Sequence, residues 1–371
     1  MSRPRVAFIT NLCPHYRQPL YRLLAERFRV TFFFYSEREE SYLSPAVRHE
    51  PGDLPVREVN RVVIGGHPVL TGLADELNND NYDAVIKCIN GRLMMPYVFQ
   101  LAKRRRIPFV LWSGLWHHPT TLAHRLARPL VEGVYRRSDA IVVYGSHVKR
   151  FVTSVNGVSN EKIYVAGQAI DTSRFSGVIP EFGEPAAILF VGRFEVQKGL
   201  LDLLSAFSMV RDPAVRLRLV GSGRLEGEIR SQAARDPRVE LLGHVPQAEL
   251  GNQFARARAV VLPSVTTRTF REPWGLTANE SMTAGLPVIA TSAVGAAAGG
   301  LVKDERNGLV VPERDPIALA GAMGRLAADR QLAERLGSCA REDVEAFDYP
   351  RMVQAFVDAV DHAIEANGRG G

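Results

Sequence analysis

Ala187-Ile188-Leu189-Phe190-Val191-Gly192-Arg193-Phe194-Glu195-Val196-Gln197-Lys198-Gly199-Leu200 is the stretch on which the fold class turns. Five apolar residues read as a buried strand, and Gly192 and Gly199 bracket a polar loop. Helical spacing then runs through Leu200–Met209. A strand with no polar alternation is what a parallel sheet covered on both faces requires. The same unit recurs downstream, with strands expected over Arg216–Val220, Val239–Leu242, Ala259–Pro263 and Pro287–Ala290, and helices over Leu225–Ala234 and 277–284. Upstream it recurs as strands over Val6–Thr10, Val30–Tyr35, Ala84–Cys88, Phe109–Trp112 and Ala140–Tyr144. Helices are expected there over Pro19–Phe28, Pro96–Lys103 and Leu122–Tyr135, and a last one over Pro350–Ala366. Alternation of this kind predicts an α/β protein of doubly wound, Rossmann-like parallel sheets. Between the two series, Ser176-Gly177-Val178-Ile179-Pro180-Glu181-Phe182-Gly183-Glu184-Pro185 breaks the periodicity and reads as a linker. The expected organisation is a first domain over 1–175, a second over 176–346, and a C-terminal segment over 347–371. Two such domains face to face would leave a deep interdomain cleft lined by strand C-terminal ends, where ligands of open α/β sheets bind.

Composition narrows the class. With 371 residues, 46% apolar and 23% charged, the chain has room for two ordinary globular domains. No uninterrupted apolar run approaches the roughly 20 residues of a membrane span. The N-terminal apolar run is too short for a signal peptide and reads as a first buried strand. Cys13, Cys88 and Cys339 are odd in number and far apart, which suits neither a disulfide framework nor a metal site. A reducing, cytoplasmic setting is expected. Charge is uneven: residues 1–175 hold 24 Lys/Arg against 15 Asp/Glu, and 176–371 hold 22 against 25. Within 103–150 ten basic residues face two acidic ones. Such a patch suits an anionic lipid surface, as in peripheral contact with the inner face of a membrane, or a phosphorylated acceptor; a solvated helix face is the plain alternative. Nucleic acid is disfavoured, because no recognised binding module accompanies the charge.

The loops carry the chemistry. Arg193 and Lys198, five positions apart on the glycine-bracketed loop, suit a pyrophosphate: a guanidinium grips two oxygens, and an ammonium supplies a point charge. The loop is neither a Walker loop nor G-x-G-x-x-G. Arg271-Glu272-Pro273-Trp274-Gly275-Leu276-Thr277-Ala278-Asn279-Glu280 opens with turn residues and leads into a helix. This places Glu272 in a loop and Glu280 about two turns further along. Free amides at such an end attract phosphate or sugar oxygens, and flanking carboxylates suit vicinal hydroxyls. Gly221-Ser222-Gly223 allows close approach of a ligand or a neighbouring helix, and Gly243-His244-Val245 could offer main-chain groups to a base edge. Taken singly, each of these also fits an exposed turn or a surface charge.

In order along the chain stand Gly192-Arg193, Lys198-Gly199, Val220-Gly221-Ser222-Gly223, Gly243-His244-Val245, Pro263-Ser264, Glu272 with Glu280, Gly285-Leu286-Pro287-Val288-Ile289 and Asn307-Gly308-Leu309-Val310-Val311-Pro312. Together they resemble the retaining GT-B glycosyltransferases of family four. The resemblance covers nearly all of the second domain and, more loosely, the whole chain. It implies that Arg193 and Lys198 contact a donor diphosphate, that Glu280 holds the nucleotide ribose, and that Glu272 reaches the donor sugar. It places the Gly275 and Leu276 amides by the sugar and diphosphate, with Trp274 and Thr277 beside them, and Gly221, His244 and Val245 near the nucleotide. It also implies a terminal helix, starting near Phe347-Asp348-Tyr349, that crosses back to the first domain. Departures occur in the first domain. Asn11-Leu12-Cys13-Pro14-His15-Tyr16-Arg17 replaces a frequent glycine pair, and Asn11, Tyr16 and Arg17 become the acceptor-side candidates. Ser113-Gly114 stands where relatives often have histidine, with His117 and His118 following as candidates to orient sugar or acceptor.

The implied reaction is transfer of a sugar from a nucleotide diphosphate sugar to an acceptor hydroxyl, with anomeric configuration kept. No protein cofactor is implied, and a UDP-sugar or GDP-sugar is the donor. No Asp-x-Asp motif occurs, in keeping with a metal-independent site. Cell-envelope glycan or glycolipid synthesis and natural-product glycoside synthesis are both open as settings, with a small-molecule or lipid-linked acceptor. A non-catalytic sugar-nucleotide-binding protein, or a phosphorylase of the same architecture, remains the alternative.

Overall fold

A computed structural model describes residues 3–36 and 50–368 of the chain. They fall into two compact units, Met1–Gln168 with Tyr349–Gly371, and Ala169–Asp348.

The first unit is built on β1 (Arg5–Thr10), β2 (Arg29–Phe34), β3 (Val62–Ile64), β4 (His67–Val69), β5 (Ala84–Cys88), β6 (Phe109–Ser113), β7 (Ala140–Val143) and β8 (Ile163–Val165). Its helices are α1 (Gln18–Arg27), α2 (Leu73–Asn79), α3 (Met94–Arg104), α4 (Leu122–Arg137) and α5 (Ser146–Ser154). Six strands form one parallel sheet in the order β2-β1-β5-β6-β7-β8, and β3 and β4 make a separate antiparallel pair. Apolar runs decide the sheet: every residue of β5, β6 and β7 is buried, because helices cover both faces.

The second unit holds β9 (Ala187–Val191), β10 (Arg216–Val220), β11 (Val239–Gly243), β12 (Ala259–Leu262), β13 (Val288–Thr291) and β14 (Gly308–Val311). With them go α6 (Leu200–Phe207), α7 (Glu226–Ala233), α8 (Leu250–Ala255), α9 (Thr277–Thr283), α10 (Gly295–Ala298), α11 (Pro316–Ala328) and α12 (Arg330–Val344). The parallel order β11-β10-β9-β12-β13-β14 is the doubly wound order in which the chain reverses its winding between the first and fourth strands. The chain ends in α13 (Tyr349–Gly368), which packs on α1, β7 and β8 of the first unit. An apolar stripe of Met352, Val353, Phe356, Ala359, Val360 and Ala363 at helical spacing drives that packing. Phe356 sits edge-on to Trp112 with ring centroids 5.3 Å apart.

Two expectations need correction. The stretch 176–185, within the second unit as expected, is pinned there and is not a free linker. Arg258, 1% exposed, donates to the carbonyl oxygens of Phe182 (3.0 Å) and Gly183 (3.2 Å) and pairs with Glu184 (2.6 Å). Arg341 holds Val178 O at 2.7 Å. Glycine and proline mark turns there, and one buried and one half-buried guanidinium group remove the freedom a linker would have. Glu280 is the fourth residue of α9, within its first turn, because Pro273 and Gly275 hold the chain in a loop up to Leu276.

Candidate functional site

In the second unit the sheet reverses between β9 and β12, and the loops that leave those two neighbouring strands carry Lys198 and Glu272. The loops touch through their backbones. Gly199 has φ +67°, and a Cβ placed on it would lie 1.9 Å from the carbonyl oxygen of Pro263, so only glycine lets α6 start this close to the β12 loop. Val265 N donates to Gln197 O at 3.0 Å, and Thr277 Oγ1 to Val191 O at 3.4 Å. Within this frame the Lys198 ammonium donates to Glu272 Oε2, to which Ser264 Oγ also donates, at 3.3 Å. Glu272 is 8% exposed, and the pair is 74 residues apart in sequence. Ser264 is in turn placed by Thr291, whose hydroxyl donates to its carbonyl. A lysine and a glutamate so held can bind an anion and a hydroxyl on neighbouring atoms of one ligand.

Arg193 lies half-buried on the same loop as Lys198, just past β9. Glu280 follows on α9, and burial pushes its carboxyl up to about 7, against the opposing pull of Arg174. Gly275 and Leu276 form the turn into α9, where Gly275 O accepts from Ala278 N (2.9 Å) and Leu276 O from Glu280 N (3.1 Å). Gly221 has φ +137°, and the group that approaches it is the carbonyl of Gly192, 1.9 Å from a would-be Cβ. Its glycine is therefore required for packing of the β9 and β10 loops. His244 is exposed and Val245 half-buried just beyond β11. The Trp274 indole, expected beside the donor, is instead interior: 2% exposed, it donates to Asn279 Oδ1 at 2.8 Å and lies 5.6 Å from the ring of Phe347.

The first unit brings its own candidates to the reversal between β1 and β5. Asn11, 8% exposed, accepts from Asn90 Nδ2 at 2.6 Å, and Tyr35 Oη donates to Asn90 Oδ1 at 2.5 Å. Beneath them Lys87, fully buried, donates to Cys88 O (2.5 Å) and Asn90 O (2.8 Å) and sits 5.0 Å from the Tyr35 ring. Arg17, expected on the acceptor side, is interior: it donates to Gln168 Oε1 and lies 4.9 Å above the Trp112 ring. Tyr16 is half-buried, and its carbonyl accepts from Tyr349 Oη at 3.1 Å. His117 and His118 lie between β6 and α4. The His118 ring is 4.9 Å from that of Phe151 and 3.9 Å from Glu132, and burial together with Arg128 disfavours its protonation. Lys87 and Asn90 were not singled out from the sequence. A lysine inside the apolar run Ala84-Val85-Ile86-Lys87-Cys88 was the one available signal.

Two family models divide the chain. The one described as Glycosyl transferases group 1 matches residues 185–329, and Glycosyltransferase Family 4 matches residues 19–174. The chain belongs to the group 1, family 4 glycosyltransferases. It is 32% identical over 229 residues to a glycogen synthase of Mycobacterium tuberculosis, covering 59% of this chain and 53% of that one. It is 30% identical over 252 residues to a D-inositol 3-phosphate glycosyltransferase of Xylanimonas cellulosilytica, covering 61% and 58%. The chain thus spans little more than half the length of these curated relatives. Its fold matches the crystal structure of Anabaena Alr3699/HepE in complex with UDP, with TM-score 0.73, 17% identity, and coverage of 96% of this chain and 99% of that one. The architecture is GT-B, two Rossmann-like parallel-sheet units.

Proposed function

We propose that this family member is a retaining glycosyltransferase that moves a sugar from a nucleotide diphosphate sugar to an acceptor hydroxyl without a metal ion. The observation that carries the reading is the Lys198–Glu272 pair, brought together where the second sheet reverses. In the reading, the donor diphosphate enters against Arg193 and Lys198, and Lys198 shares its ammonium between phosphate and Glu272. Glu272 then accepts hydroxyls of the donor sugar, the Gly275 and Leu276 amides lie by sugar and diphosphate, and Glu280 accepts the ribose hydroxyls. Val245, with His244, presents backbone to the base. As the glycosidic C–O bond breaks, negative charge grows on the departing phosphate, and the two cations stabilise it where it develops. The departing phosphate oxygen takes the acceptor hydroxyl proton on the same face as the new bond forms, so configuration is kept.

A uridine diphosphate sugar is the favoured donor, supported by proteins of similar fold crystallised with UDP and with UDP-glucose; a GDP-sugar is the alternative. On the acceptor side the reading assigns Asn11 and Tyr16 contact roles, and His117 or His118 an orienting one. The relative named for D-inositol 3-phosphate favours a phosphorylated acceptor, and the setting is assembly of cell-envelope glycans or of glycosides. A thermal-shift panel of nucleoside diphosphates tests the donor site. A ligand at a hundred times its dissociation constant adds about 2.7 kcal/mol of stability. UDP is expected to raise the melting temperature of the wild type but not of Lys198→Ala, and a flat response to every nucleotide would overturn the reading.

A further inference from the structure

Helix α4 carries an apolar stripe that the first unit does not use. Leu122, Leu126 and Leu130, at i, i+4 and i+8, are 72%, 75% and 48% exposed, and that spacing puts them on one side of the helix. The helix meets the core instead at its C-terminal end, through Val134 and Tyr135, both fully buried. Ile179 and Ile317, also exposed, stand singly and need no partner. Three leucines in line are a patch.

What surrounds the stripe is cationic. Arg125, Arg136 and Arg137 are exposed on the same helix. The one carboxylate of α4, Glu132, is occupied by Arg128 at 2.5 Å and Arg136 at 3.7 Å. Helix α3 packs beside α4, with the Arg137 guanidinium 5.1 Å from the Phe99 ring, and ends in the run Lys103-Arg104-Arg105-Arg106. A line of leucines edged by arginines is the pattern of a helix lying in a lipid interface, where aliphatic side chains enter the acyl boundary and long cationic ones reach the headgroups. Protein interfaces instead favour aromatic anchors over leucine.

We propose that the exposed face of α4 docks on an anionic phospholipid bilayer. This goes beyond the donor-site reading and does not depend on it, since no activity enters the test. The full chain is sedimented with phosphatidylcholine vesicles, with and without phosphatidylglycerol, at low and high salt. Binding is expected only to the anionic vesicles, and it should weaken as the Debye length shrinks from about 10 Å at 0.1 M to about 3 Å at 1 M salt. Leu126→Asp and Arg125→Glu should each reduce partitioning about tenfold or more, while Ile317→Asp binds as the wild type does. These side chains are exposed, so melting temperatures should not move. Leu126→Trp should show a blue-shifted emission with anionic vesicles alone. Absence of sedimentation at low salt would overturn the proposal, as would Leu126→Asp binding like the wild type. Self-association abolished by Leu126→Asp without vesicle binding would also overturn it, making the face a contact between copies.

Discussion

The two sheets solve the same topological problem with opposite use of charge. Where the second sheet reverses, Lys198 and Glu272 lie at the mouth of two loops, near enough to solvent to exchange partners with a ligand. Where the first sheet reverses, Lys87 is fully buried and spends its ammonium on Cys88 O, Asn90 O and the Tyr35 ring. Asn90 in turn holds Asn11. One reversal presents ionic groups; the other consumes them in holding its own loops. A reversal point is thus a place where chemistry can be built, and the residues on its loops decide whether it is built for a ligand or for the fold.

The largest effect should come from Lys198→Ala. Without the ammonium, charge on the departing diphosphate loses a fixed donor, a loss on the order of 10²–10³ in turnover. Release of UDP from a UDP-sugar measures it. The variant should melt near the wild type, because its partner Glu272 keeps Ser264 as a donor. Turnover within a factor of two of the wild type would erase the distinction between the two reversals.

Lys87→Met sharpens the other side. Methionine fills the volume but leaves two carbonyls short of a donor inside the sheet, and each such loss costs about 1–3 kcal/mol. A stability loss of about 2 kcal/mol in urea unfolding is expected, with nucleotide-induced thermal shifts preserved. If Lys87→Met instead keeps full stability and loses nucleotide response, the first reversal is not the structural one.

How much of this was legible in sequence differs by element. The strands Ala84–Cys88 and Ala187–Val191 have the bounds expected from their apolar runs, since burial of nearly every residue leaves no other reading, and Arg216–Val220 has its expected bounds with arginine and apolar residues alternating. Helices α11 and α12 were missed although each begins at a capping aspartate, Asp315 before Pro316 and Asp329 before Arg330. The signal was present and unread. Residues 176–185 misled for a different reason: composition marks a turn, and only a distant arginine, Arg258 or Arg341, decides whether that turn is fixed. Lys198 and Glu272 were named through ordered motifs, but no periodicity could pair side chains 74 positions apart. Trp274 and Arg17 went the other way, polar-tipped residues expected at ligands and found inside, Trp274 bonded to Asn279 and Arg17 to Gln168.

The smallest effect is a pH dependence centred on Glu280, and its sign follows from burial. The carboxyl, ordinarily near 4.5, is pushed up to about 7 in the folded protein. Between those values the folded state holds a proton that the unfolded chain has released. Stability is therefore fully present below the lower value and falls as pH rises toward the upper one, by at most about 1.4 kcal/mol per pH unit. Glu280→Gln cannot titrate, so its urea midpoint should lose this slope and stay flatter than the wild type from about pH 5 to pH 7. Ligand binding should run oppositely. Ribose hydroxyls donate to the ionised carboxylate, so UDP affinity should climb as pH passes about 7 in the wild type and not in Glu280→Gln. A wild-type affinity that is flat across neutral pH, alongside the expected stability slope, would leave Glu280 as a half-buried acid of the second unit with no part in holding a nucleotide. The second reversal would then rest on Lys198 and Glu272 alone.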